Sequence, residues 1–306
     1  MKNFEVAILG CGSAKPTLRH APSSQIVSYN SNLYMIDCGE GTQLQFLKNH
    51  FKDGKLRHIF ISHAHGDHCL GLVGLLSSFA LNSRCKEVCI HAPVEFEDIF
   101  RKQVDFYIYQ HSYDIRFEAI DCDQPALILD EDGLTVTAFP LVHRIPCYGF
   151  LFREKMGESH ILPECILKYN IPWEVIPRIK SGSDFMTADG QVIPNGVLTT
   201  PPLPARSYAY CSDTIPVAAV ADWIEGVDLL YHDSTFSNSE TDIAERTYHS
   251  TAEQAAQVAL RCKAGKLILG HFSSRFLLED EMLQEAMEFF PNTVLATEGL
   301  TLRVGE

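Results

Sequence analysis

The sequence predicts an α/β fold. Short apolar strands alternate with helical stretches along the chain, and acids and histidines recur where those strands end. A chain of 306 residues, 46% hydrophobic and 21% charged, can bury a large core, and its length suits one large α/β domain or two small ones. One stretch, 153–204, breaks the alternation with a crowd of prolines and reads as an inserted arm.

Residues 5–9 form an apolar-rich strand that runs into Gly10-Cys11-Gly12-Ser13-Ala14-Lys15-Pro16-Thr17. This loop lacks both the Walker and the dinucleotide glycine spacing, so by itself it reads as a tight turn. Strands follow at 25–29 and 33–36, separated by the turn residues Asn30-Ser31-Asn32. Asp37-Cys38-Gly39-Glu40-Gly41 then puts an acid at a strand end, with glycines that let the backbone approach another element. Asp37 suits a helix N-cap, or an acceptor for the second nitrogen of a ligand histidine.

Ile59, Phe60 and Ile61 read as a short buried strand and residues 69–81 as a helix, so Ser62-His63-Ala64-His65-Gly66-Asp67-His68 lies on a strand-to-helix turn. Side chains splay on such a turn. His63 and His65 can face one centre while Asp67 and His68 face another, which makes two adjacent metal sites. Imidazole and carboxylate at this density suit zinc, while ligand type alone leaves manganese, iron and cobalt open.

Farther on, residues 87–91 read as a strand, with His91 before Ala-Pro suiting a strand end better than a metal ligand. A helix is expected over 94–109 and strands at 115–120, 126–129 and 134–141, the last two joined by Asp130-Glu131-Asp132-Gly133. This meander delivers His143 to a strand end, as a further ligand beside the cluster. After a strand at 148–152 comes the arm, where only a helical piece at 162–169 stands out and Lys168, Arg178 and Lys180 supply basic charge. The strand at 208–211 ends in Ser212-Asp213-Thr214, where Asp213 suits a helix N-cap or, better with two metals to hold, a bridging carboxylate. Another at 228–231 leads to His232-Asp233-Ser234-Thr235. Ser250 and Glu253 form a capping box for a helix over 251–263, fixing His249 just outside its N-terminus. The strand at 266–269 delivers His271-Phe272-Ser273-Ser274-Arg275, and a helix at 279–290 with strands at 293–296 and 301–304 closes the chain.

A formal charge of −14 argues against a general nucleic-acid binder, whose affinity comes from many Lys and Arg displacing counterions. If the substrate is RNA, its recognition must be local. Two Zn²⁺ with two aspartates and one hydroxide still sum to about +1, which attracts a phosphodiester. Ten cysteines without a CxxC pair read as reduced thiols of a cytoplasmic protein. The start at Met1-Lys2-Asn3-Phe4-Glu5 lacks a secretory apolar region, and no apolar run reaches the roughly 18 to 20 residues of a membrane span.

Taken together, His63, His65 and His143 are expected on one metal and Asp67, His68 and His271 on the other, with Asp213 bridging. Each metal keeps an open position for a shared hydroxide, the arrangement that hydrolyses a phosphodiester. His249, oriented by Asp233, is the candidate acid for the leaving alkoxide, and Asp67 can also accept the proton of the hydroxide. All seven ligand positions are filled, which argues against a fold kept without catalysis.

The run His63-x-His65-x-Asp67-His68 resembles the signature of the metallo-β-lactamase superfamily, whose first motif has an aspartate in the supporting place of Asp37. The resemblance narrows with Leu9-Gly10-Cys11-Gly12-Ser13-Ala14-x-Pro16, Asp37 to Gln43, Gly71-Leu72-x-Gly74-Leu75, Pro202-x-Pro204-x-Arg206, His249-Ser250-Thr251 and His271-x-Ser273-Ser274-Arg275. Together these are similar to the ribonuclease Z family, the short-form tRNA 3′ endonucleases. The resemblance implies a four-layer αββα sandwich and removal of 3′ trailers from precursor tRNA by metal-activated hydroxide. It also implies two zincs per subunit, a homodimer, and an arm at 153–204 that grips tRNA. By the same analogy Arg206 approaches the RNA 3′ end, and Ser273, Ser274 and Arg275 approach phosphate. The chain departs from the family in the arm text Ile171-Pro172-Trp173-Glu174-Val175-Ile176-Pro177-Arg178, and in having His232-Asp233-Ser234-Thr235 where His-Glu-Ala-Thr is usual. The alternative is a metal-dependent phosphodiesterase acting on small or cyclic nucleotide diesters, for which no arm is needed.

Overall fold

A computed structural model describes residues 3–82, 86–108, 113–131, 133–276 and 279–306. It divides into two compact units: Met1–Asp130, Thr135–Phe152 and Arg206–Glu306 form the first, and Glu131–Leu134 with Arg153–Ala205 the second.

Two seven-stranded sheets organise the first unit among the described residues. One contains β1 (Phe4–Gly10), β2 (Ser24–Tyr29), β3 (Asn32–Cys38), β4 (Leu56–Phe60), β5 (Val88–Pro93) and β6 (Ile115–Ile120) in chain order, with β14 (Thr301–Arg303) against β1. The other is built from β7 (Ala126–Glu131), β8 (Leu134–Pro140), β9 (Tyr148–Glu154), β10 (Ser207–Cys211), β11 (Leu229–Asp233), β12 (Lys266–Gly270) and β13 (Thr293–Leu295), neighbours in that order. Strands β3 to β6 are mutually parallel, as are β10 to β13.

Side-chain alternation explains the layers. On β3, Leu33 and Met35 point into a core shared with Leu72, Leu75, Leu76 and Phe79 of α3 (Leu72–Leu81) and Phe100 and Val104 of α4 (Glu97–Tyr107). Tyr34 and Phe60, of opposite parity, meet Phe150 and Phe152 of β9 at ring distances of 5.4 to 6.2 Å. The sheets therefore face each other through aromatic side chains, and helices cover the outer face of the first. On the second sheet the cover includes α7 (Ala252–Arg261), whose Ala255, Ala256 and Ala259 are buried. This is the αββα sandwich.

Several local expectations are corrected. The helix expected over 69–81 is two pieces, α2 (Gly66–Cys69) and α3, separated at Leu70-Gly71. The break has a steric reason: a Cβ at Gly71 would lie 2.1 Å from the Gly39 carbonyl oxygen, so the chain turns where it crosses the end of β3. Helix α1 (Thr42–Lys48) is capped at Gly41, so Asp37 is not its N-cap. The N-cap of α7 is Thr251, boxed with Gln254, so the Ser250/Glu253 pairing is wrong by one residue; Ser250 instead donates to the Thr214 carbonyl. His91 lies inside β5, 2.9 Å from His58, where strand pairing with β6 extends to Pro93. Helix α4 starts at Glu97 after a 3₁₀ turn, and the expected end at Tyr109 lies outside the described residues, as do Asp132 and Cys85. The nine described cysteines are free thiols.

The second unit is more ordered than its prolines suggest. Pro163 and Pro177 sit in the first turns of helices α5 (Pro163–Lys168) and α6 (Ile176–Lys180), where a missing N–H costs nothing. Two short antiparallel ladders join His160–Ile161 to Thr199–Thr200 and Phe185–Met186 to Val192–Ile193. Cys165, Ile171, Ile179, Ile193 and Leu198 form a small core of its own. The Asn195 amide ties it together by donating to the Ile179 and Ser183 carbonyls at 2.6 and 2.9 Å. Trp173 and Arg178 stay exposed.

Candidate metal centre

The parallel registers bring the carboxyl ends of β3, β4, β10, β11 and β12 to one edge of the sandwich, where an α/β fold places its ligands. Asp37, Asp213 and His271 sit at those ends with φ of 56°, 55° and 65°, a left-handed backbone that non-glycine residues adopt at a cost of about 1–3 kcal/mol. Surrounding bonds hold them there.

Two ligand groups result. His63, His65, His143 and Asp213 offer atoms within 4.8 Å of one another, and so do Asp67, His68 and His271. Asp213 spans them: its Oδ1 lies 3.7 and 3.9 Å from the Nε2 atoms of His63 and His143, and its Oδ2 3.1 and 3.3 Å from those of His68 and His271.

The outer nitrogens of these imidazoles are held in place. Asp37, fully buried, accepts from the Ser62 amide and hydroxyl, the Tyr210 hydroxyl and His68 Nδ1 at 2.7 to 2.9 Å. The Ser62 oxygen is also 3.1 Å from His63 Nδ1, and His143 Nδ1 donates to the Tyr248 carbonyl at 3.2 Å. On the other side Thr235 donates to Asp233 at 2.7 Å and accepts from His271 Nδ1 at 2.9 Å. With Nδ1 so engaged, Nε2 of His63, His68, His143 and His271 presents a lone pair inward.

These donors fit divalent cations. The Nε2 atoms of His68 and His271 are buried without a hydrogen-bond partner among the described residues, while His63 Nε2 and His143 Nε2 crowd His65 Nδ1 at 3.0 and 3.3 Å. Unsatisfied buried nitrogens converging on carboxylates are costly unless a cation sits between them. Burial, helped for His63 by neighbouring imidazoles, pushes His63, His65 and His143 down, which favours the neutral form that a metal ligand needs. At His68 burial is overcome by the carboxylates of Asp213, Asp37 and Asp67, which raise it well above the usual histidine range. That field is one that would hold a metal. Burial likewise opposes the charge on Asp213, but His271, His68 and His63 keep it well below the usual carboxylate range.

His249 lines the same cleft, with its ring stacked 5.2 Å from that of His271. Its Nδ1 donates to Asp233 at 2.8 Å, leaving Nε2 for the cleft. Burial disfavours its charge, but the Asp233 carboxylate outweighs burial and raises the imidazole to about 9. The shorter carboxylate at position 233 still reaches this partner.

The cleft, about 540 Å³, is also lined by Lys15, Arg144, Ser273, Ser274 and Arg275. The structure does not bring Arg206 there: its guanidinium lies 5.5 Å from the Phe4 ring centre and 3.5 Å from the Val304 carbonyl. The Gly10–Thr17 loop is more than a turn, because the Ala14 amide donates to Asp67 Oδ2 at 2.6 Å. Ser62, Thr235, Tyr210 and Ala14 were missed as site residues. The first two lie within motifs the sequence displays, whereas a backbone donor and a tyrosine from another strand leave no local signal.

Comparison with known proteins agrees with this geometry. A family model described as Anti-Pycsar protein Apyc1 matches residues 4–157, half of the chain. The fold matches crystal structures of human tRNase Z, short form (TM-score 0.71, 24% identity, 99% of this chain and 100% of that one), and of the metallo-β-lactamase fold protein YhfI from Bacillus subtilis (TM-score 0.70, 19% identity, 98% and 99%). In sequence, ribonuclease Z of Bacteroides thetaiotaomicron is 47% identical over 99% of this chain and 96% of its own, and that of Porphyromonas gingivalis 43% over 99% of both. The chain belongs to the ribonuclease Z family.

Proposed function

We propose that this protein is a zinc-dependent endoribonuclease that removes 3′ trailers from precursor tRNA, acting in the cytoplasm as a homodimer. The observation that carries the chemistry is Asp213 reaching both ligand groups with different oxygens; the substrate follows from the family. His63, His65 and His143 would hold one zinc, Asp67, His68 and His271 the other, and Asp213 both. When bound, the pair supplies Lewis acidity toward phosphoryl oxygens and acidifies the attacking water.

The chain's own residues do the rest. Asp67, steadied by the Ala14 amide, accepts the proton of the attacking water. Lys15, Arg144, Ser273, Ser274 and Arg275 line the cleft where the RNA backbone must lie. As the bond from phosphorus to O3′ breaks, protonated His249 gives a proton to O3′, and Asp233 stabilises its charge and fixes its ring. The products are a tRNA 3′-hydroxyl and a 5′-phosphorylated trailer. Arg153–Ala205, with exposed Trp173 and Arg178, is the surface proposed to grip tRNA. Exposed Leu44, Leu47, Leu70 and Leu81 at helices α1 to α3 offer apolar area for the dimer.

The test is cleavage of a precursor tRNA with a 3′ trailer before and after chelation and zinc repletion, with bis(p-nitrophenyl) phosphate alongside. Cutting beside the discriminator nucleotide should vanish on chelation and return with zinc. Turnover of the small diester with tRNA left intact would replace this reading with a phosphodiesterase of small nucleotide diesters.

A further inference from the structure

Among the described residues, two clusters of metal-type donors lie outside the centre described above: His58, Cys89 and His91, and Cys11, His20 and Glu298. The latter three come from the residue after β1, the loop beyond it and the turn before β14. Cys11 Sγ lies 3.3 Å from His20 Nδ1 and 3.7 Å from Glu298 Oε1, and His20 Nδ1 lies 3.1 Å from Glu298 Oε2. All three donor atoms fall within 4.8 Å of one another. Zinc bonds of about 2.3 Å to sulfur and 2.0–2.1 Å to nitrogen or oxygen set tetrahedral edges of roughly 3.3–3.6 Å. The observed separations are close to those edges, and without a cation the same contacts are hydrogen bonds among the three groups.

We propose that Cys11, His20 and Glu298 bind a further zinc-type divalent cation, with water in the fourth position and a role in structure. Thiolate, imidazole and carboxylate together select a borderline-soft metal over magnesium or calcium. The other ring nitrogen of His20 faces Glu279 Oε1 at 3.5 Å, the outer carboxylate that a metal-bound imidazole uses to fix its tautomer. On binding, Cys11 gives up its thiol proton and the imidazole proton resides on Nε2, toward Glu279. Entry is available from a cavity of about 270 Å³ lined by Gly12, Arg19, His20 and Glu279. The cation would clamp the loop carrying Ala14, whose amide holds Asp67, to the C-terminal turn.

The test loads chelated full-length protein with cobalt(II). The proposed catalytic pair has no thiolate ligand, so a thiolate-to-cobalt charge-transfer band in the near ultraviolet that is lost in Cys11→Ser reads this site and not the His58, Cys89 and His91 group, whatever the fate of the tRNA reading. The band should appear in the wild type, persist in Cys122→Ser, a control at the half-buried thiol, and disappear in Cys11→Ser. Bound zinc in Cys11→Ser, by elemental mass spectrometry, should fall by one equivalent per chain. No band in the wild type, or a band and zinc content that survive Cys11→Ser, overturns the proposal. Should Cys11→Ser fail to fold, His20→Asn carries the same comparison.

Discussion

At the scale of single residues, the centre depends as much on the groups behind the imidazoles as on the imidazoles themselves. Thr235 is the clearest case, because one hydroxyl serves Asp233 and His271 together. Thr235→Val keeps the volume and removes the bridge, so metal affinity or cleavage rate should fall about 10–100-fold, measured by chelator competition and initial rates. His249→Ala should lower kcat on precursor tRNA by about 10²–10⁴-fold while bound zinc stays at the wild-type level, since His249 is proposed to act on the leaving group. Loss of zinc in that variant would make His249 a ligand and leave the acid unassigned. The sequence displayed Asp233 and His271 in short motifs, but not that Thr235 links them.

At the scale of elements, the metal groups are assembled by where strands stop. Helix α2 ends one residue after His68, and Gly39 and Gly71 allow its far end to press on the end of β3. A methyl group at residue 71 would overlap the Gly39 carbonyl, so Gly71→Ala should cost about 1–3 kcal/mol in urea unfolding and weaken metal binding by moving Asp67 and His68. Residues 69–81 read as one helix because their apolar content is continuous, and apolar content does not register a backbone collision with a strand thirty residues earlier. The capping box was misplaced for a related reason. Ser250-Thr251 followed by Glu253-Gln254 permits two boxes one residue apart, and Ser250 is claimed by the Thr214 carbonyl from a distant loop.

At the scale of the whole molecule, two units share one chain. Arg153–Ala205 has its own core and ladders, so its removal need not disturb the sandwich. Replacing residues 157–200 with a short Gly-Ser linker should leave hydrolysis of bis(p-nitrophenyl) phosphate near the wild-type rate. The same change should lower kcat/KM on precursor tRNA at least tenfold, about 1.4 kcal/mol of remote binding energy. Equal losses on both substrates would assign that unit to the stability of the centre.

The sequence by itself displayed the candidate ligands and the buried faces of the strands, because each is written in a short stretch; the αββα layering was implied only by the resemblance. A histidine and aspartate run between a buried strand and an apolar helix has few other uses, and alternating apolar residues fix which face of a strand is buried. Only the tertiary structure decided which oxygen of Asp213 serves which group, that Tyr210 from the opposite sheet completes the bonds to Asp37, and that Arg206 packs on Phe4 away from the cleft. Those are contacts between residues far apart in the chain, made by registers and strand ends that no short stretch encodes.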